Sequence, residues 1–259
     1  MSNSLTVALI QTSLVWENPK ANRANIENKV STIDGADLIV LPEMFTSGFT
    51  MNATEVAETM DGETITWLKT LSKTKNAAIV GSLVIAENDN YYNRLVFVEP
   101  NGTLTTYDKR HTFTLAGEHK VYTAGTEKVI LDYKGWKICP LVCYDLRFPV
   151  WARNTEDYDL LLYVANWPKM RIAAWDTLLK ARAIENMAYC IGVNRVGLDG
   201  NNYEYSGHSG AYDVLGNRMD SIPQSKEAIE LVTLEKEHIT TYREKLGFLK
   251  DRDSFNLKA

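Results

Sequence analysis

Trp136-Lys-Ile-Cys-Pro-Leu-Val-Cys143-Tyr-Asp-Leu-Arg-Phe-Pro149 decides how this chain reads. Ile138 to Val142 is a short apolar run, the pattern of a buried strand. It breaks into Tyr144-Asp145-Leu146-Arg147 and a Phe-Pro pair. A residue before proline is pushed out of the helical region, while Pro149 itself can open a helix at its first position. Cys143 is therefore expected at the C-terminal end of a strand, where the backbone turns sharply and where open α/β sheets bind ligands. A thiol held there can project into a pocket with backbone N–H groups beside it, which is what a nucleophile needs. Free cysteine usually behaves as a small buried hydrophobe, and Cys139 and Cys190 take that reading. Cys143 departs from it because Asp145 and Arg147 follow within four residues.

At 259 residues the chain can bury a sizeable core, as one large domain or two small ones. Its 45% apolar and 24% charged residues are ordinary for a globular protein. A net charge of −5 without a basic tract argues against a nucleic-acid partner. The start, Met1 to Ile10, lacks the cationic region and long apolar run of a signal peptide, and no segment approaches a membrane span. Three cysteines without a spaced framework fit a reducing compartment, so a cytoplasmic protein with no membrane partner is expected. No linker, repeat or low-complexity tract divides residues 1–259, which read as one domain with a charged tail from Gly247 to Ala259.

Outward from the opening stretch, Thr6 to Ile10, Asp37 to Leu41 and Ala77 to Ile85 read as buried strands, with helices over Ala21 to Ile33 and Gly62 to Lys75. The second helix turns Ile65, Leu68 and Leu71 inward. Tyr91 to Val98 and Thr103 to Tyr107 flank the turn Glu99-Pro-Asn-Gly102, a hairpin signal. Lys109 to Gly125 is a long irregular segment, and loops of that length in compact domains are usually functional. Val129 to Leu131 and Trp136 to Val142 read as strands around Tyr133-Lys134-Gly135. Asp159 to Ala165, Ala188 to Val196, Gly207 to Leu215 and Glu230 to Val232 follow as strands. Helices are expected over Ile172 to Met187, with Trp175, Leu178, Leu179 and Ala183 on one side, and over Glu235 to Lys245. Strand–helix alternation followed by hairpins gives an α/β fold with helices outside a strand-rich core.

Polar residues stand where a buried sheet should avoid them: Glu43 ends the second strand, Lys109 follows the hairpin, and Cys143 ends the later strand. If those ends converge, a carboxylate can take the thiol proton, the thiolate can attack a carbonyl or nitrile carbon, and the ammonium can hold the oxyanion. The backbone N–H of Tyr144 is a natural second oxyanion donor. Singly, each has a plainer reading: Glu43 as an ion-pair partner, Lys109 and Glu118 as solvated loop charges. The histidines at 111, 119, 208 and 238 show no zinc spacing, and no phosphate loop is present, so no metal or cofactor is expected.

Together, Leu-Pro-Glu43-Met-Phe, Tyr-Asp-Lys109-Arg-His, Cys143-Tyr-Asp-Leu-Arg-Phe-Pro, Ala-Arg-Ala-Ile-Glu-Asn, Gly-Val-Asn194-Arg-Val-Gly and Gly207-His-Ser-Gly resemble the nitrilase, or carbon–nitrogen hydrolase, superfamily. The resemblance runs in order over nearly the whole chain. It implies a four-layer α-β-β-α sandwich, commonly paired into homodimers through the outer helices. It makes Glu43 the general base, Lys109 the stabiliser of the tetrahedral intermediate and Cys143 the nucleophile, with Glu118 positioning substrate and Lys109. The stretches Glu43 to Met51 and Lys109 to His119, with the Asn-Trp-Pro turn, look most like bacterial omega-amidases, which act on the ω-amides of 2-oxo dicarboxylic acids through a thioester. Phe45, Phe49, Phe113 and Trp167 are then expected to form a small apolar slot, and Arg171 to meet the substrate carboxylate. Arg147 is expected to be a structural ion-pair partner near Cys143. Asn166 stands where relatives often carry a small residue, which bears on pocket polarity. The competing readings are a sibling hydrolase for another amide, an N-carbamoyl compound or a nitrile, a catalytically silent scaffold, and a redox sensor built on Cys139 and Cys143.

Overall fold

The computed structural model describes residues 3–257. Met1 and Ser2 of the apolar start, and Lys258 and Ala259 of the charged tail, lie outside the described residues. In chain order, β1 (Ser4–Gln11), α1 (Pro19–Ser31), β2 (Leu38–Val40), α2 (Ala53–Val56) and α3 (Glu63–Lys75) precede the run β3 (Ala78–Glu87), β4 (Asn90–Val98) and β5 (Leu104–Asp108). After an irregular segment come β6 (Leu131–Tyr133), β7 (Trp136–Val142), α4 (Pro149–Ala152), β8 (Leu160–Ala165), α5 (Ile172–Asn186) and β9 (Tyr189–Asn194). The hairpin β10 (Val196–Leu198) and β11 (Glu204–Ser206), then β12 (Gly210–Tyr212), β13 (Ala228–Glu235) and α6 (Lys236–Leu246), complete the order. Helix starts follow local chemistry: the Asn18 side chain caps α1 ahead of Pro19, and Pro149 opens α4 at its first position.

The strands form two main sheets, ordered β13-β1-β2-β3-β4-β5 and β12-β9-β8-β7-β6. β1, β2 and β3 run parallel, as do β7, β8 and β9, so each sheet gathers several strand C-termini at one edge. Period-two alternation separates the layers. Leu5, Val7 and Leu9 of β1, Leu38 and Val40 of β2, and Leu95 and Phe97 of β4 pack into the core shared with the second sheet. Ala8, Ile10, Ile39, Val96 and Val98 face the other way, against Ile26, Val30, Ile65 and Leu68 of α1 and α3. On the far side, Trp175 and Leu179 of α5 lie so close to β9 that a Cβ at Gly192 would meet each of them at 2.6 Å. The result is the α-β-β-α sandwich.

Two expectations need correction, and one hairpin is new. β6 starts at Leu131, so the strand over Val129 to Leu131 is displaced toward the tight turn at Lys134 and Gly135, both with positive φ. The strand over Gly207 to Leu215 shrinks to Gly210–Tyr212, because Gly207 and His208 adopt left-handed φ of 71° and 59°. The hairpin β10–β11 was not anticipated; its strands are only three residues each.

Candidate active site

Glu43 follows β2 in a tight turn whose next residue, Met44, has φ +42°. The turn is tied to β3: Met44 N–H donates to Ser82 Oγ at 2.9 Å and Phe45 N–H to the Ser82 carbonyl at 3.0 Å. Lys109 leaves β5 with its N–H on the Asn93 carbonyl at 3.0 Å. Its Nζ donates to Glu43 Oε1 at 2.9 Å and to both Glu118 oxygens, at 3.0 and 2.9 Å. Asn93, also absent from the sequence reading, donates from Nδ2 to Glu43 Oε1 at 2.8 Å and to Glu118 Oε1 at 3.3 Å. Glu43 Oε2 accepts the Asn166 N–H at 2.8 Å, and Glu118 Oε2 accepts the Phe113 N–H. Glu43 and Glu118 have no solvent exposure and Lys109 has 1%. Burial pulls the Lys109 ammonium down, but Glu118, Glu43 and Cys143 outweigh it, so its pKa is raised. Glu118 is raised as well, by burial first, with Lys109 opposing and Glu43 adding. The two directions agree once one ammonium is seen to serve two carboxylates: the cation has both partners, and each anion shares one.

Cys143 opens a 3₁₀ turn, Cys143–Arg147, directly from β7, with φ +42°. That region is unfavourable for a side chain with a Cβ and has to be held by its surroundings. Asp145 does much of the holding. Its carboxylate accepts Val142 N–H at 3.0 Å, Tyr107 Oη–H at 2.8 Å and His111 N–H at 3.0 Å, and contacts His111 Nδ1 at 2.8 Å. The His111 ring stacks on Phe148 at 3.7 Å. Burial, then the Glu43 carboxylate, push the Cys143 thiol well up, and Lys109 draws it back down. A thiol so placed needs a base to ionise, and two carboxylates, an ammonium and the thiol share one buried floor.

Above that floor opens a cavity of about 720 Å³, lined by Lys109, Cys143, Tyr144, Phe49, Phe113 and Trp167 among others. The expected aromatic slot is present in three of its four members. Phe45 does not line it: the ring is fully buried in the outer layer, 6.3 Å from Trp67 and packed over Gly81, where a Cβ would meet it at 2.8 Å. The tight turn after Glu43 sends consecutive side chains to opposite faces, and Phe45 takes the core face. Arg171 lines the cavity with its guanidinium 5.1 Å from the Phe113 ring. Arg147 is not the ion-pair partner expected; it also lines the cavity, stacked 4.8 Å over Trp167. Among the described residues neither guanidinium has a carboxylate partner. The rest of the lining includes Trp16, Asp199, Tyr203 and Tyr205, which were not foreseen. Their signal was weak, because the polar stretch between β10 and β11 resembles any loop.

This fold and floor define a class. The carbon–nitrogen hydrolase family profile matches residues 6–244, and the chain belongs to that family: it is an enzyme that hydrolyses carbon–nitrogen bonds. Among curated relatives it is similar to the omega-amidase YafV of Yersinia enterocolitica, 46% identical over 98% of this chain and 99% of that one. It is also similar to the 2-oxoglutaramate amidase of Bacillus subtilis, 34% identical over 82% of this chain and 83% of that one. Among solved structures, a CN-hydrolase superfamily protein from Xanthomonas campestris, with an arsenic adduct in its active site, superposes with a TM-score of 0.97. The two are 42% identical, over 99% of this chain and 100% of the other.

Proposed function

We propose that this enzyme is an omega-amidase, hydrolysing the ω-amide of a 2-oxo dicarboxylic acid such as 2-oxoglutaramate or 2-oxosuccinamate to ammonia and the oxo diacid. The observation that carries the substrate class is the pair Arg147 and Arg171, two guanidiniums without carboxylate partners among the described residues, on the wall of the cavity that holds Cys143. A neutral amide can approach the floor while the anionic end of the substrate meets an arginine fork. The similarity to curated omega-amidases supports the same reading.

In this mechanism the Glu43 carboxylate takes the Cys143 proton and the thiolate attacks the amide carbon. The oxyanion is held by Lys109 Nζ and the Tyr144 N–H. Glu43 returns the proton to the departing nitrogen, ammonia leaves, and a thioester remains. Water gives a proton to Glu43 and its hydroxide adds to the thioester; collapse expels the thiolate, which recovers the proton. Glu118 takes no proton in this sequence; it holds Lys109 in place through both carboxylate oxygens. Phe113, Trp167 and Tyr144 bound the acyl chain. No helix among the described residues is long and apolar enough to cross a membrane. Three free, buried cysteines support action in the cytoplasm, and pairing into a homodimer completes the proposal.

The test is ammonia release from 2-oxoglutaramate and 2-oxosuccinamate beside glutamine, asparagine, an N-carbamoyl amino acid and a simple nitrile. Preference for the oxo-amides is expected. Turnover confined to one of the other compounds would remove the omega-amidase assignment and leave the hydrolase.

A further inference from the structure

The motif around Asn194 helped to place the chain in its family, yet nothing in the mechanism uses it. Asn194 ends β9, has no solvent exposure, and spends its whole side-chain amide on two loops. Its Oδ1 accepts the Trp167 N–H at 2.7 Å, and its Nδ2 donates to the Trp167 carbonyl at 2.9 Å and to the Gly207 carbonyl at 2.8 Å. Trp167 is thus gripped through both of its backbone polar groups. The residue before it, Asn166, grips Glu43 in turn: its N–H donates to Oε2 at 2.8 Å and its Nδ2 to the Glu43 carbonyl at 2.5 Å.

The partners also distinguish the two oxygens of Glu43. Oε1 accepts from Lys109 and Asn93. Among the described residues Oε2 accepts only from the Asn166 N–H, leaving it a lone pair. We propose that Glu43 Oε2 is the atom that takes the Cys143 proton, and that Asn194 is the positioning residue that aims it through the Asn166–Trp167 turn. The inference rests on the reading of Glu43 as base. In the step concerned, the Cys143 S–H bond breaks, the proton passes to Oε2, and the electron pair stays on sulfur. Asn194 touches no reacting atom.

The thiol has Glu43, Lys109, Glu118 and Tyr205 around it, and Glu43 also feels Tyr122. A thiol that passes its proton to an aimed carboxylate as it reacts does not depend on hydroxide, whereas one without such a base waits for hydroxide. The experiment is the rate of Cys143 alkylation by iodoacetamide between pH 7 and pH 9.5, located by mass spectrometry, in wild type, Glu43→Gln, Asn194→Ala and Asn194→Asp. Cys139 and Cys190 have no solvent exposure and stay silent.

The expected wild-type profile is nearly flat. The two Asn194 variants should rise about tenfold per pH unit, as a thiol ionised by hydroxide does, and lose up to about 100-fold in kcat. A merely structural role would lower every rate and leave the slope flat. Flat profiles in both Asn194 variants beside a steep Glu43→Gln profile would overturn the inference and keep Glu43 as base. A Glu43→Gln profile as flat as wild type would remove the base reading itself. Failure of both Asn194 variants to fold, seen by near-ultraviolet circular dichroism, would assign the residue to the scaffold and also overturn the inference.

Discussion

Replacing Lys109 by methionine tests the charge balance of the floor. The side chain is 1% exposed and, among the described residues, is the only ammonium bonded to Glu43 and Glu118, both without solvent contact. Methionine fills similar volume, so the loss is mainly electrostatic. Two buried carboxylates are left sharing Asn93, and breaking a buried ion pair from one side costs about 3–5 kcal/mol. For a domain of this size that is a fall in Tm of roughly 6–20 °C. The deficit must depend on pH, with a sign that follows from Glu118. Its folded pKa already lies above the ordinary 4.5 through burial, and removing Lys109 takes away the largest opposing influence and leaves the Phe113 N–H against it. A carboxyl raised in the folded state binds its proton there more tightly than in the unfolded chain. The missing stability is therefore restored below the unfolded value, about 4.5, and lost progressively as pH rises through the folded value. Thermal melts of Lys109→Met and wild type at pH 5 and pH 8 should show a deficit that is small in acid and full at pH 8. An equal deficit at both pH values, or none at pH 8, would refute the account of one ammonium neutralising two carboxylates.

Cys143→Ala should abolish ammonia release while the thermal melt stays within a few degrees of wild type; residual turnover at the wild-type rate would place the nucleophile elsewhere. Arg147→Met and Arg171→Met should each raise KM for 2-oxoglutaramate, by roughly 10-fold or more if that residue carries the charged hydrogen bond, with Cys143 alkylation unchanged. If neither variant alters KM, the substrate carboxylate is bound by some other group.

Much of this was legible because the same physical signal recurs. A polar residue ending an apolar strand marks Glu43 after β2, Cys143 after β7, Asn166 after β8 and Asn194 at the end of β9. Strand ends gather at one edge in parallel sheets, so the sequence pattern already foretells a cluster. What local pattern cannot reveal is which face a side chain takes after a left-handed residue. Met44 turns the chain at φ +42°, and Phe45 goes to the core although it sits two residues from Glu43. Nor could spacing tell that Arg147 stacks on Trp167, twenty residues away in sequence, instead of pairing with a carboxylate. The Asp199 to Tyr205 wall was hidden for a different reason. Strands of three residues are too short for their alternation to show.

The left-handed backbone at Cys143 sets the residue's own turn against its chemistry. With φ at +42°, a side chain bearing a Cβ carries a penalty of about 1–2 kcal/mol that glycine would not. The substitution that best relaxes this turn is therefore one that removes the sulfur. Left to drift under demands for folding alone, the position would slide toward an inert and more comfortable protein. A cysteine at such a site persists only under a demand that the backbone itself does not make.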